Sequence, residues 1–172
     1  MIAAPLKLSK FTATPIITML TISPYYQGIE RELFDAFRSA ITQVCSKDYS
    51  EAQIHAWVPA QYDHAKWKQR IDTIQPFVAV LNGEVVGYAD IQKDGYIDHF
   101  YVSGNFQSRG VGKALMSKLL AQQLDIKKAY SNVSITARPF FEKHGFRLVK
   151  ENIVQVRGID LVNFTMERAL PM

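Results

Sequence analysis

The stretch "IDHFYVSGNFQSRGVGKALM", residues 97–116, runs from a β-like segment through a polar loop into a helical pattern. Gly110 and Gly112 sit one residue apart at the start of that pattern, with Arg109 before them and Lys113 after. Glycines at a helix start let a ligand approach the backbone closely. The first N–H groups of a helix have no intrahelical partner, and the helix dipole adds partial positive charge. Together these features predict a phosphate site, to which Arg109 and Lys113 add charge. Two familiar phosphate motifs do not fit. A P-loop needs glycine at position 107 and Ser or Thr at 114, where this chain has Gln107 and Ala114. A dinucleotide fingerprint needs a small residue at position 115, which is Leu115. What remains is Q-x-x-G-x-G after a strand, and a tight loop with packing glycines is its plain alternative.

The pattern on both sides of this loop predicts the fold. Downstream, Val111, Ala114, Leu115 and Leu119 form one apolar stripe, so a helix is expected from about Arg109 to Leu124. Lys128–Ile135 reads as a strand, Ala137–His144 as a short helix ended by Gly145, and Phe146–Leu170 as two strands around Arg157–Gly158. Upstream, Tyr96–Val102 reads as one strand and the third of a meander. Its partners are Pro76–Leu81 and Glu84–Gln92, joined by the turns Asn82–Gly83 and Asp94–Gly95. Before these come a short strand at Thr21–Tyr26 and helical spacing over Gly28–Cys45. Asp48–Pro59 carries a capping box (Ser50 with Gln53), and Asp63–Ile71 is a helix with Asp63 as N-cap. This order is that of an α+β domain with a mixed sheet.

The 172-residue chain, 48% hydrophobic and 21% charged, suits one globular domain at residues 19–172, with residues 1–18 as an extension. No run of 18 apolar residues predicts a spanning helix. The opening residues lack a clear small-residue cleavage site, so no secretory signal is expected. Cys45, the single cysteine, rules out an internal disulfide, fits a reducing cytoplasm and falls in an apolar pattern. The net charge of +4 is mild and scattered, which disfavours nucleic acid and suits a polyanionic small molecule. His55, His64 and His144 have no ligand spacing, so no metal is expected.

With these elements in order, "IDHFYVSGNFQSRGVGKALM" resembles the acetyl-CoA strand–loop–helix of the GCN5-related N-acetyltransferases. "ARPFFEKHGF", residues 137–146, is similar to that family's second signature, and the likeness spans roughly Met19 to Leu170. The resemblance implies a mixed, mostly antiparallel sheet of six to seven strands. Helices lie on both faces, and a central strand pair, Tyr96–Val102 and Lys128–Ile135, splays apart. It implies acetyl-CoA as cosubstrate. The pyrophosphate would lie on the N–H groups of Arg109, Gly110, Val111, Gly112 and Lys113, bordered by Gln107 and Ser108. The pantetheine arm would follow Phe100, Tyr101 and Val102 as an added strand. Ser134, Phe140, Phe141 and Lys143 would line its other side, although the two phenylalanines equally suit core packing.

The implied reaction is direct acyl transfer to a primary amine of a small molecule or peptide, and the amine must lose a proton. Asp98 is the leading base, on the face of Phe100 and Val102; a paired carboxylate that orients a neighbour is its alternative. His99, on the opposite face with Tyr101, is its rival; a surface or substrate-lining histidine is its alternative. Many family members carry a tyrosine acid where this chain has Phe141, which cannot donate a proton. That departure leaves Tyr101 or water as donor, and raises the alternative of a non-catalytic acyl-CoA binder. Tyr49, Trp57 and Trp67, near Asp48, Glu51 and Asp63, could hold a cationic amine; Trp57 and Trp67 could instead simply pack their helices. Arg138 could face CoA or form an ion pair. The expected partner is the amine substrate, with no nucleic acid or membrane, and a homodimer is left open.

Overall fold

The computed structural model describes residues 19–122 and 125–171, so the expected extension 1–18 and the end of the helix at Leu124 lie outside the described residues. Two four-stranded sheets form the framework. The first has the order β1 (Leu20–Pro24), β2 (Phe77–Leu81), β3 (Glu84–Ala89), β5 (Phe100–Val102), all antiparallel. The second has the order β4 (Tyr96–Ile97), β6 (Lys128–Ser134), β8 (Ile159–Ala169), β7 (Arg147–Val156). Its β4–β6 pair is parallel and the rest antiparallel.

The hairpins follow their turn chemistry. Asn82 (φ 52°) and Gly83 (φ 88°) close β2–β3, and Arg157 (φ 49°) and Gly158 (φ 80°) close β7–β8. Two positive φ values in succession match the right-handed twist of flanking strands.

The expected single strand Tyr96–Val102 is divided. Tyr96 and Ile97 pair with Tyr130 and Ser131 of one sheet, while Phe100–Val102 pair with Gly87–Ala89 of the other. The chain changes sheets at Asp98–His99, and this break is the expected splay. Counted as one strand, the segment gives seven strands among the described residues.

Helices cover both faces. α1 (Glu30–Ser39) buries Leu33, Phe34 and Ala36, then widens into one π-helical turn at Ala40–Val44 before a tight turn at Cys45–Lys47. α2 (Glu51–Trp57) begins with the expected capping box: Ser50 Oγ accepts from Gln53 N–H, and Gln53 Oε1 accepts from Ser50 N–H. α3 (His64–Ile74) runs past the expected Ile71, with the Asp63 carboxylate accepting from the N–H groups of Ala65 and Lys66. On the other face, α4 (Val111–Leu120) buries Val111, Leu115, Met116 and Leu119 against both sheets, beside α5 (Arg138–Lys143). Among the described residues, no helix is long and apolar enough to cross a membrane.

Candidate active site

The loop between β5 and α4 is shaped by two left-handed residues. Ser108 (φ 61°) and Gly110 (φ 81°) flank Arg109, and such alternation turns successive N–H groups toward one concavity. The first intrahelical bond runs from Ala114 N–H to the Gly110 carbonyl, which leaves the amides of Val111, Gly112 and Lys113 free to bind a ligand. The two glycines have different reasons. A Cβ at Gly110 would meet nothing within 4 Å, so open space lies there. A Cβ at Gly112 would lie 3.1 and 3.2 Å from the Phe140 ring, so Gly112 lets α5 close on α4. The Arg109 guanidinium stacks 5.1 Å above the Phe106 ring, and the Lys113 side chain is exposed.

Below the loop, β5 is the edge of its sheet. The Asp90 N–H donates to the His99 carbonyl (3.0 Å) and the Ser103 N–H to the Val86 carbonyl (2.8 Å). Antiparallel ladders alternate inward and outward peptide groups. The groups of His99, Tyr101 and Ser103 therefore face β3, and those of Phe100 and Val102 face the open edge. Gln107 Nε2 donates to the Val102 carbonyl at 2.7 Å, so Gln107 shapes this edge. The Phe100 side chain packs on Phe140 and Phe141, on the α4–α5 face. Tyr101 turns both peptide groups and ring away from that edge.

Across the wedge, Ser134 Oγ accepts from the Ala137 N–H at 3.1 Å and caps the turn into α5. Phe141 is 2% exposed, packed edge-on against Phe100 and Phe146, so it is a core residue. Phe140 is half-buried beside Gly112, and Lys143 is exposed at the end of α5. Arg138 pairs with Glu142 at 2.8 Å and lies over the Phe164 ring, which selects the ion-pair alternative.

Asp98 and His99 do not lie on opposite faces, as strand alternation predicted. The break between the sheets lets both side chains turn toward α1 and α3. Asp98 forms an ion pair with Arg70 of α3, while its shielded Oδ2 makes no well-aligned hydrogen bond. His99 Nε2 is 3.7 Å from that Oδ2, and its Nδ1 is 3.0 Å from the Tyr88 hydroxyl. The ring lies among Phe37, Trp67 and Tyr101. Burial, reinforced by the Arg70 charge, pushes His99 down to about 3, so its imidazole is neutral at pH 7 and a weak base. Sequence reading missed Arg70, Tyr88 and Asp90. Asp90 left a signal, as an acid inside the otherwise apolar "GYADI".

The aromatic residues expected to hold an amine are engaged elsewhere. Tyr49 is 6% exposed; its hydroxyl donates to the Val162 carbonyl (2.7 Å) and accepts from the Ile135 N–H (2.9 Å). Burial pushes that hydroxyl up to about 12. Trp67 Nε1 donates to the Glu30 carbonyl at 2.7 Å, and its ring packs on Phe34 and Phe37. Trp57 packs edge-on against Tyr49. Trp67 thus packs its helix, the alternative reading, and Tyr49 bridges the end of β6 and β8 rather than standing free. Cys45 is buried, and burial raises its thiol pKa, as for a small core residue.

A sheet split at a central strand, with a glycine-led helix start above the gap, defines a class. The chain belongs to the GNAT acetyltransferases: the model of the acetyltransferase (GNAT) domain matches residues 45–168. It is an acyltransferase, so the non-catalytic alternative gives way. Its relatives include YafP of Escherichia coli (strain K12), an uncharacterized N-acetyltransferase. That protein is 36% identical over 147 residues, covering 86% of this chain and 94% of YafP. Among solved structures, a GCN5-related N-acetyltransferase from Rhodopseudomonas palustris is 30% identical with a TM-score of 0.83, covering 92% of this chain and 100% of that one. The PaiA N-acetyltransferase from Thermoplasma acidophilum, solved in complex with coenzyme A, shares the fold at 17% identity. Its TM-score is 0.68, covering 88% of this chain and 99% of that one.

Proposed function

We propose that the protein transfers an acetyl group from acetyl-CoA to a primary amine of a small molecule or peptide, directly and within a ternary complex. One observation carries the reading: the sheet change at Asp98–His99 opens the β5 edge directly below the Gly110 loop. The residues fit the cosubstrate. The N–H groups of Val111, Gly112 and Lys113 hold the diphosphate, in the space that Gly110 leaves clear. The outward peptide groups of Phe100 and Val102 bind the pantetheine amides as a neighbouring strand would. The Phe100 and Val102 N–H groups are the candidate donors to the thioester carbonyl oxygen as it gains charge.

Acetyl-CoA supplies the activated acyl group; the chain supplies alignment and a proton acceptor. An amine of pKa about 10.4 is mostly protonated at pH 7. Asp98 takes its proton, directly or through water, with Arg70 fixing the carboxylate. Neutral His99 orients that carboxylate rather than acting as base. A thiol of pKa about 8.5 leaves without a dedicated acid, so Phe141 in the tyrosine position does not block transfer.

The test is steady thiol release from acetyl-CoA across an amine panel, with coenzyme A binding followed by calorimetry. Asp98→Asn should lower kcat by roughly 10²- to 10⁴-fold while coenzyme A affinity holds. An unchanged rate removes Asp98 as base. Absence of both binding heat and thiol release refutes the whole reading.

A further inference from the structure

Asp90 follows β3, is 1% exposed, and takes part in no step described above. Its place in the ladder is unusual. Asp90 and His99 form a hydrogen-bonded pair, and two such residues ordinarily exchange two main-chain bonds. Here only one is main chain, from the Asp90 N–H to the His99 carbonyl at 3.0 Å. The His99 N–H donates instead to the Asp90 carboxylate, at 2.6 Å from Oδ1. Gln92 Nε2 donates to the other oxygen. The side chain has replaced the carbonyl of its own residue.

That replacement sits where the chain leaves the first sheet. C-terminal to His99 the ladder with β3 is regular: Phe100 with Ala89, Tyr101 with Tyr88, Val102 with Gly87. N-terminal to it, the chain has crossed to β6. A carboxylate reaches farther from the strand axis than a main-chain carbonyl. It can therefore satisfy the His99 N–H while Asp98 swings away. A buried carboxylate is costly unless bound, and a continuous ladder would need none. The cost is offset by the His99 N–H and Gln92 Nε2 donors.

We propose that Asp90 is a positioning residue for acyl transfer: its carboxylate grips the His99 peptide so that the strand splits at Asp98. The open edge of Phe100 and Val102 and the direction of the Asp98 carboxylate both follow from this grip. The proposal rests on the reading that this edge receives the thioester arm.

Asp90→Ala and Asp90→Asn in the full chain test it, because Asn keeps an acceptor oxygen in place. The readouts are thiol release, coenzyme A calorimetry, and the NMR shift of the His99 amide proton. Asp90→Ala should lower kcat on the order of 10- to 100-fold, the scale of a 1 Å misplacement. Coenzyme A affinity at the Gly110 loop should change far less, and the His99 amide should move upfield. Asp90→Asn should restore most of kcat. An alanine variant that loses thermal stability but keeps kcat overturns the proposal, as does a folded Asn variant no more active than Ala. Should the alanine variant fail to fold, the Asn variant decides between these outcomes. Wild-type protein that neither binds coenzyme A nor releases thiol refutes the functional reading instead, a failure distinct from that of Asp90.

Discussion

Replacing Gly110 by Ala separates a backbone requirement from a ligand requirement at one position. At φ 81° an L-residue is strained by about 1–2 kcal/mol, since Cβ crowds its own carbonyl. No further clash adds to this, because the new methyl meets nothing within 4 Å. For a domain of this size each kcal/mol lowers Tm by about 2–4 °C, so a drop of roughly 2–8 °C is expected. The ligand effect should be larger. The methyl enters the space before the Val111–Lys113 amides and displaces the diphosphate from at least one of them. A hydrogen bond to a charged group contributes about 1.5–3 kcal/mol, which corresponds to a roughly ten- to hundredfold weaker Kd. Gly112→Ala is the control. Its methyl presses on the Phe140 ring at 3.1 Å, but alanine is about 0.5–1 kcal/mol better than glycine within a helix. Its Tm should therefore move little. The assays are thermal unfolding by circular dichroism and calorimetry with coenzyme A. A Gly110→Ala protein with the expected drop in Tm but wild-type coenzyme A affinity would refute placement of the diphosphate on this loop.

Two further outcomes follow from groups outside the loop. Tyr49→Phe leaves the Val162 carbonyl and the Ile135 N–H without their partner. Stability should fall by about 1–3 kcal/mol for each group in urea titration. A raised KM for every amine with unchanged stability would return Tyr49 to the substrate site. Acid should also destabilise the protein in two stages. An unfolded chain protonates histidine below about 6.5, while native His99 does so only near 3, so its contribution is present above 6.5 and lost as pH falls toward 3. The Tyr25 hydroxyl holds Glu30 down at about 2, which adds a second loss between about 4.5 and 2. His99→Asn should flatten the unfolding free energy between pH 6.5 and 4.5. An unaltered slope there would count against a buried neutral imidazole.

The features legible in the sequence are those decided by neighbours along the chain. Ser50 and Gln53 cap each other across three residues, Asn82–Gly83 sets its own hairpin, and Gly110 announces a left-handed residue at a helix start. The misread features have their causes far away. Tyr49 looks like a free aromatic because its two partners lie 86 and 113 residues downstream. The facing of Asp98 and His99 was misassigned for a sharper reason. Alternation holds only while a strand stays in one sheet. Whether Tyr96–Val102 does so is decided by the Asp90 carboxylate, nine residues before His99, together with Arg70 on α3. A periodicity rule applied to "YIDHFYV" therefore errs at Asp98–His99, where the segment passes from one sheet to the other. The departure and the proposed chemistry share a cause: on that reading, a continuous ladder across Asp98 would leave no free edge for a pantetheine arm and no carboxylate beside it.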